Sequence, residues 1–363
     1  MIARTLLTLG VLFPAASAGA QSGDDYLRLL RLYRDQPAVA AQTVAKLSPQ
    51  AIDRGIQQCR AGRCSLQQIR AAAMLHADAA ELVIGPDGRA ARDQIRSGRE
   101  LLQIATNLTA VNHATNADLA ALSSFGGRWY ALTARLLLAH GHLTVANELA
   151  VEGQVRYPES PDLFVVRGLL IEWRTGLGLE AGDLRGFAVR GELFERPLAQ
   201  GWALYPGNAG FALQSAAGQY RRAIALDPAH SGARLRLAWT HLLTADRRVW
   251  EDVPAAFIKN ASGDAQLLAH LLRGTAAEHE KNAPSALAEY QAARVLAPDS
   301  QTACLAVSAA HALNGQLSEA RVVAGDCLST GNGAEAVDAW TLFRLGLMDA
   351  TTVEGLREEA RRP

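Results

Sequence analysis

Lysine is nearly missing from this chain: Lys46, Lys259 and Lys281 are the only three in 363 residues, and arginine carries the remaining basic charge. Arginine forks suit carboxylates and phosphates, but here they run along the whole chain beside abundant alanine, the mark of a GC-rich gene. Net charge is missing too. Basic and acidic residues balance at 36 each, which removes the electrostatic case for a nucleic-acid or anionic-membrane partner. Beyond the first twenty residues no apolar run approaches the ~20 residues needed to cross a bilayer. Sustained period-two alternation is absent, which excludes an extensive sheet. There is no His-Glu-x-x-His, Gly-x-Ser-x-Gly or Walker loop. The glycines of 176–182 are spaced Gly-x-Gly-x-x-x-Gly after a helical pattern, not after a strand, so they do not form a dinucleotide loop. The chain reads as a non-enzyme with no cofactor and no metal site.

What is present begins with an export signal. Met1 to Arg4 carries one positive charge, Thr5 to Ala16 is apolar, and Ala18-Gly19-Ala20 has the small residues of a cleavage site. Residues 1–20 are read as a signal peptide with Gln21 as the mature N-terminus. No cysteine stands at that point, so no lipid anchor is expected. The expected location is periplasmic or secreted.

Four cysteines form two local pairs. Cys304 and Cys327 lie equidistant from the turn Asn314-Gly315-Gln316, and residues so placed face each other in an antiparallel helix hairpin. Cys59 and Cys64 bracket the four-residue connection Arg60 to Arg63. Both pairs are expected as disulfides in an oxidising compartment; Cys-x4-Cys with no nearby histidine or second pair is poor for a metal.

The hydrophobic pattern is helical throughout. Leu27, Leu30, Val39 and Val44 mark helices broken near Gln36-Pro37. Ser48-Pro49 reads as an N-cap with proline at N1, and Ser65 caps the next helix, which runs to the turn at Gly85 to Gly88. A further helix covers about Ala91 to Thr106, and part of the polar stretch Asn107 to Ser124 is expected to be a connection.

Pro158, Pro228 and Pro298 then recur 70 residues apart, each closing an alanine-rich helix. That is about two units of 35, close to the roughly 34-residue tetratricopeptide period. Tyr130, Ala134, Leu137, Gly141, Ala146 and Pro158 occupy large, small, large, turn-glycine, small and closing-proline positions. The phase returns at Ala216, Tyr220, Ala223 and Pro228, and at Gly274, Ala286, Tyr290, Ala293 and Pro298. On these residues the chain from about Gly126 to Leu328 resembles the tetratricopeptide repeat (TPR) family. Thr133, Arg167 and Arg273 depart from it where leucine is usual. Residues 175–209, rich in glycine and proline, do not fit and read as an insertion.

The resemblance implies an all-α, right-handed solenoid of helix-turn-helix repeats, with an N-terminal helical region (21–125), repeats at 126–174 and 210–330, the insertion, and C-terminal capping helices (331–363). It also implies a groove lined by the first helix of each pair that holds a protein or peptide segment. By phase, Arg128, Arg135, Trp173, Trp239 and His279 fall on that lining, and tryptophan with arginine is the pairing enriched at binding hot spots. The histidines scattered through the helices, His230 and His241 among them, are expected to cover surface. The alternative is a helical enzyme or carbohydrate-binding protein that uses 175–209 as a lid over Trp173 and Trp202.

Overall fold

The computed structural model describes residues 23–85, 88–111, 115–175, 206–244, 248–261, 263–330, 339–344 and 350–362. The signal segment and most of the insertion, Trp202 included, lie outside them. All regular structure among the described residues is helical, and these helices stack as TPR-like pairs. No helix among them is long and apolar enough to cross a membrane. They fall into two compact units: the first from those up to Val83, 91–108 and the last residues from Ala360, the second from 84–90 and 109–359.

The first unit contains α1 (Gly23–Asp35), α2 (Pro37–Val44), α3 (Pro49–Arg60), α4 (Leu66–Val83) and most of α5 (Arg89–Val111). Local chemistry sets its boundaries. Ser48 Oγ accepts from the Ala51 N–H at 3.3 Å ahead of Pro49, and Ser65 Oγ accepts from the Gln68 N–H at 3.2 Å. Cys59 and Cys64 are joined, with Cα atoms 4.6 Å apart across the turn at Gly62. Ile56, Ile69, Met74, Leu101 and Leu102 fill the core. A polar strip crosses it. Tyr26 Oη donates to His76 Nε2 at 2.9 Å, and His76 Nδ1–H donates to Gln94 Oε1 at 2.6 Å. Two turns further along α1, Tyr33 Oη donates to Asp78 at 2.7 Å. His76 is fully buried, and burial pushes its pKa down to about 4, with the Gln94 hydrogen bond opposing.

The second unit is a run of helix pairs. It comprises α6 (Asn116–Ala139) with α7 (Leu143–Arg156), α8 (Pro161–Thr175) with α9 (Pro206–Leu226), α10 (Ser231–Leu243) followed by short α11 (Val249–Asp252) and α12 (Ala255–Asn260), α13 (Asp264–His279) with α14 (Ala283–Leu296), and α15 (Gln301–Leu313) with α16 (Leu317–Thr330). Two C-terminal helices, α17 (Ala339–Arg344) and α18 (Ala350–Arg361), follow; the last residues of α18 belong to the first unit.

The polar stretch expected as a connection is mostly helix. α5 continues to Val111, and α6 opens at Asn116 because Thr115 and Asp118 form a reciprocal capping box. The three prolines repeat one geometry. Tyr157, Asp227 and Ala297 close their helices, and the N–H of Ser160, His230 and Ser300 returns to them at 3.1 Å each time. Their equal spacing has two origins, however. Between Pro228 and Pro298 lie two units, the first with its second helix broken into α11 and α12 at Pro254. Between Pro158 and Pro228 the described residues make one pair, α8 with α9, interrupted by 176–205. α9 begins at Pro206, inside the range expected for the insertion.

Within pairs, close approach is made by glycine. A Cβ at Gly168 would stand 2.4 Å from the Tyr220 ring, and one at Gly274 would stand 2.2 Å from the Tyr290 ring. The inter-helix turns share a Schellman-type pair of bonds. His142 and Gly141, Asn282 and Lys281, and Gln316 and Gly315 return their N–H groups to carbonyls five and three residues back. The middle turn holds Lys281 at φ 57°, where the others hold glycine. The Cys304–Cys327 bridge ties α15 to α16, with Cα atoms 5.7 Å apart.

The three departures from the repeat pattern are accommodated by polar partners. Thr133 Oγ1 bonds the Trp129 carbonyl at 2.9 Å, Arg167 bonds Asn147 at 2.6 Å, and Arg273 bonds Glu289 at 2.7 Å while lying 4.6 Å over the Trp250 ring.

Candidate functional site: the face of the first helices

The first helices of the pairs, α6, α8, α10, α13 and α15, present one face of the second unit. Arg128 and Arg135 are two turns apart on α6 and so share a side of it. Arg128 pairs with Glu359 of α18. Arg135 is half-buried, and desolvation lowers its pKa although Asp162 and Tyr220 oppose.

Asp162 opens α8. Burial alone would raise its pKa, but the His230 hydrogen bond and the charges of Arg135 and Arg128 together hold it below its ordinary value. His230 is not surface cover. Its Nδ1 accepts from the Ala233 N–H at 3.1 Å, capping α10, which leaves Nε2–H to face Asp162 at 3.4 Å. At the other end of α8, Glu172 is 1% exposed and forms an ion pair with Arg236 of α10. It also accepts from Tyr220 Oη at 2.5 Å. Burial pushes the Arg236 guanidinium down to about 9, with the like charge of Arg135 adding. It stays cationic at neutral pH, and its carboxylate partner and hydrogen bonds compensate its desolvation.

Arg236 leads to the occupant of this face. Its Nη1 donates to the Phe343 carbonyl of α17 at 2.7 Å, and its guanidinium lies 4.8 Å over the Phe343 ring. Trp239, one turn on, meets Trp340 edge-on at 5.8 Å and Phe343 at 6.2 Å. Trp340 and Phe343 stack on each other at 5.9 Å. Arg344 lies 5.8 Å over the Trp239 ring. Leu235, Leu242, Leu268 and Leu272 of α10 and α13 complete the pocket. Trp340 also packs against the cluster of Leu267, Leu271, Ala303 and Val307 on α13 and α15. The segment expected to cap the stack therefore lies across the face of the first helices.

This corrects the reading of Trp239 as an open groove contact: it is 5% exposed and covered by the chain's own aromatic residues. Trp173 is half-buried near the end of α8, beside Glu172, and His279 is exposed at the last turn of α13. Arg128 and Arg135 both act on Asp162 of α8, and Arg135 acts on Arg236, one turn before Trp239 on α10. His279 stands apart from that cluster, on α13.

Sequence inspection took Tyr220 only as a repeat position and missed Glu172 and Arg236. Their signal was a charge set in an apolar run, as Arg236 is between Leu235 and Leu237. The aromatic pair Trp340-x-x-Phe343, which puts two rings on one side of a single helical turn, was the sign of the occupant.

No described group of histidine, cysteine and carboxylate side chains is arranged to hold a metal. The tightest acid–histidine pair is His241 with Asp252. His241 is 4% exposed, again not surface cover; Nδ1 bonds Asp252, and Nε2 accepts from Arg221 at 3.1 Å. Both ring nitrogens are engaged. The arrangement as a whole holds the chain's own α17 through ring packing and a guanidinium on a backbone carbonyl of that helix.

No protein-family model and no curated protein matches this chain. Among solved structures it is similar to human IFIT1 as a dimer with PPP-AAAA, at 13% identity and a TM-score of 0.35, covering 86% of this chain and 70% of that one. A monomeric IFIT1 mutant with m7Gppp-AAAA matches at 13% identity and a TM-score of 0.32, covering 85% and 68%.

Proposed function

We propose that the protein is an exported, non-catalytic scaffold that holds a segment of a partner protein on the face of its first helices. The observation that carries this reading is the seating of Trp340 and Phe343 on Trp239 and Arg236. A face that orders a six-residue helix, far below the length at which helices form alone, has the chemistry to order a foreign one. The two disulfides favour an oxidising compartment, in line with the apolar N-terminal segment. The reading includes no nucleic-acid ligand, because Arg236, Arg128 and Arg273 are matched by Glu172, Glu359 and Glu289.

The test is affinity capture from envelope extract with the native chain, with Trp173→Ala, and with Trp340→Ala/Phe343→Ala, after matching helicity. A partner whose recovery falls with the first variant and rises with the second supports the scaffold. Equal recovery with all three refutes it.

A further inference from the structure

The pocket that receives α17 is not fully satisfied by it. Trp239 Nε1–H and Arg236 Nε–H are both buried and lack an acceptor among the described residues. The rings of Trp239, Trp340 and Phe343 pack on one another, and the Phe343 carbonyl takes one Arg236 donor, yet two donors are left over. Buried donors without acceptors are rare because their desolvation is not repaid. Besides the two rings, the side chain of α17 that reaches Trp239 is Arg344, over the ring face, and arginine brings only donors. Among the described residues an acceptor is missing where α17 supplies a cation.

Resting on the scaffold reading, we infer that α17 is an internal stand-in for the partner. The partner is a protein segment forming one helical turn with two aromatic residues three apart and an acidic residue directly after the second. Its rings take the places of Trp340 and Phe343, and its acidic side chain, shorter than that of Arg344, stops at the edge of Trp239 instead of over its face, accepting from the indole N–H and the Arg236 Nε–H. Carboxylate–guanidinium bonds are among the stronger hydrogen bonds available to such a pocket. The partner's carboxylate gives it an advantage over α17 and lets it displace α17 despite α17's high effective concentration as part of the same chain.

The test uses the native full-length mature chain and three labelled synthetic peptides. One has the sequence of residues 337–346, one carries Arg344→Glu, and one carries Arg344→Glu with Trp340→Ala/Phe343→Ala. The Glu peptide is expected to bind at least tenfold more tightly than the own-sequence peptide and to abolish hydrogen-exchange protection in 339–344. The peptide without rings is expected not to bind. Equal affinity for the Glu and own-sequence peptides overturns the inference, as does binding that leaves 339–344 protected. A native chain that doubles in mass with concentration by exchanging α17 overturns it in favour of a second copy as the occupant. As a second arm, Arg236→Met/Glu172→Met removes both buried charges together and is expected to erase the Glu peptide's advantage; retention of that advantage counts against the pocket. If the peptides fail while capture still depends on Trp173, the pocket assignment falls and the scaffold reading stands.

Discussion

Acidifying the protein from pH 7 to pH 4 is expected to loosen its first unit through one residue, His76. In the unfolded chain this imidazole titrates near 6.5. In the fold it is fully enclosed, with Tyr26 donating to Nε2 and Nδ1–H donating to Gln94, so the neutral form is built in and burial pushes the pKa down to about 4. The folded value lies below the unfolded one. Between the two, the unfolded state binds more protons, and stability falls as pH falls. The contribution is fully present above about pH 6.5, drains away on the way down to about 4, and changes little below that. A gap of about 2.5 units at roughly 1.4 kcal/mol each gives a full loss of about 3.5 kcal/mol. No charged group contributes to the shift, so the loss is insensitive to salt.

The assay is urea unfolding at half-unit pH steps, read by hydrogen exchange of the α4 amides to keep the first unit separate. His76→Gln, which retains hydrogen-bonding capacity without a titratable ring, is the control. The native slope is expected to approach 1.4 kcal/mol per pH unit near pH 5 and to vanish in the variant. Equal slopes in both proteins would falsify the assignment.

Three further outcomes follow from the second unit. Lys281→Gly is expected to stabilise by about 0.5–1 kcal/mol, since Lys281 sits at φ 57° where the equivalent turns use glycine; an unchanged urea midpoint would count against strain in that turn. Gly274→Ala drives a methyl to 2.2 Å from the Tyr290 ring and forces α13 and α14 apart. A loss of about 1–3 kcal/mol is expected, while Gly325→Ala, with open space around it, should cost nothing by the same denaturation measurement. Cys304→Ser/Cys327→Ser opens a loop closed over a separation of 23 residues and is expected to cost about 3 kcal/mol by chain entropy. Cys59→Ser/Cys64→Ser, with a separation of 5, should cost about 2 kcal/mol; the reverse order would refute the loop-length argument.

Much of the fold was legible because its causes are local. Ser48-Pro49 starts a helix wherever it is placed before an apolar stripe, Gly141 and Gly315 end helices because they tolerate positive φ, and Cys304 and Cys327 face each other because a short turn fixes the register of the helices beside it. The first-helix face was legible for the same reason, since helical phase puts Arg128 and Arg135 on one side of α6. Phase does not say what lies on a face. Trp239 reads as a groove contact along α10, and only the return of Trp340 and Phe343 from about 100 residues later makes it core. Nor does phase say that Arg236, set among leucines, meets Glu172 from the neighbouring pair and a carbonyl from α17, or that His76 and His241 are enclosed. The sequence by itself determined the helices, their turns, the pairing of cysteines and the repeat phase, all set by interactions spanning a few residues to one hairpin. The tertiary structure alone decided which buried charges pair and that α17 covers the face of the first helices. Those contacts join segments far apart in the chain, and no local periodicity encodes which distant surface a helical face will meet.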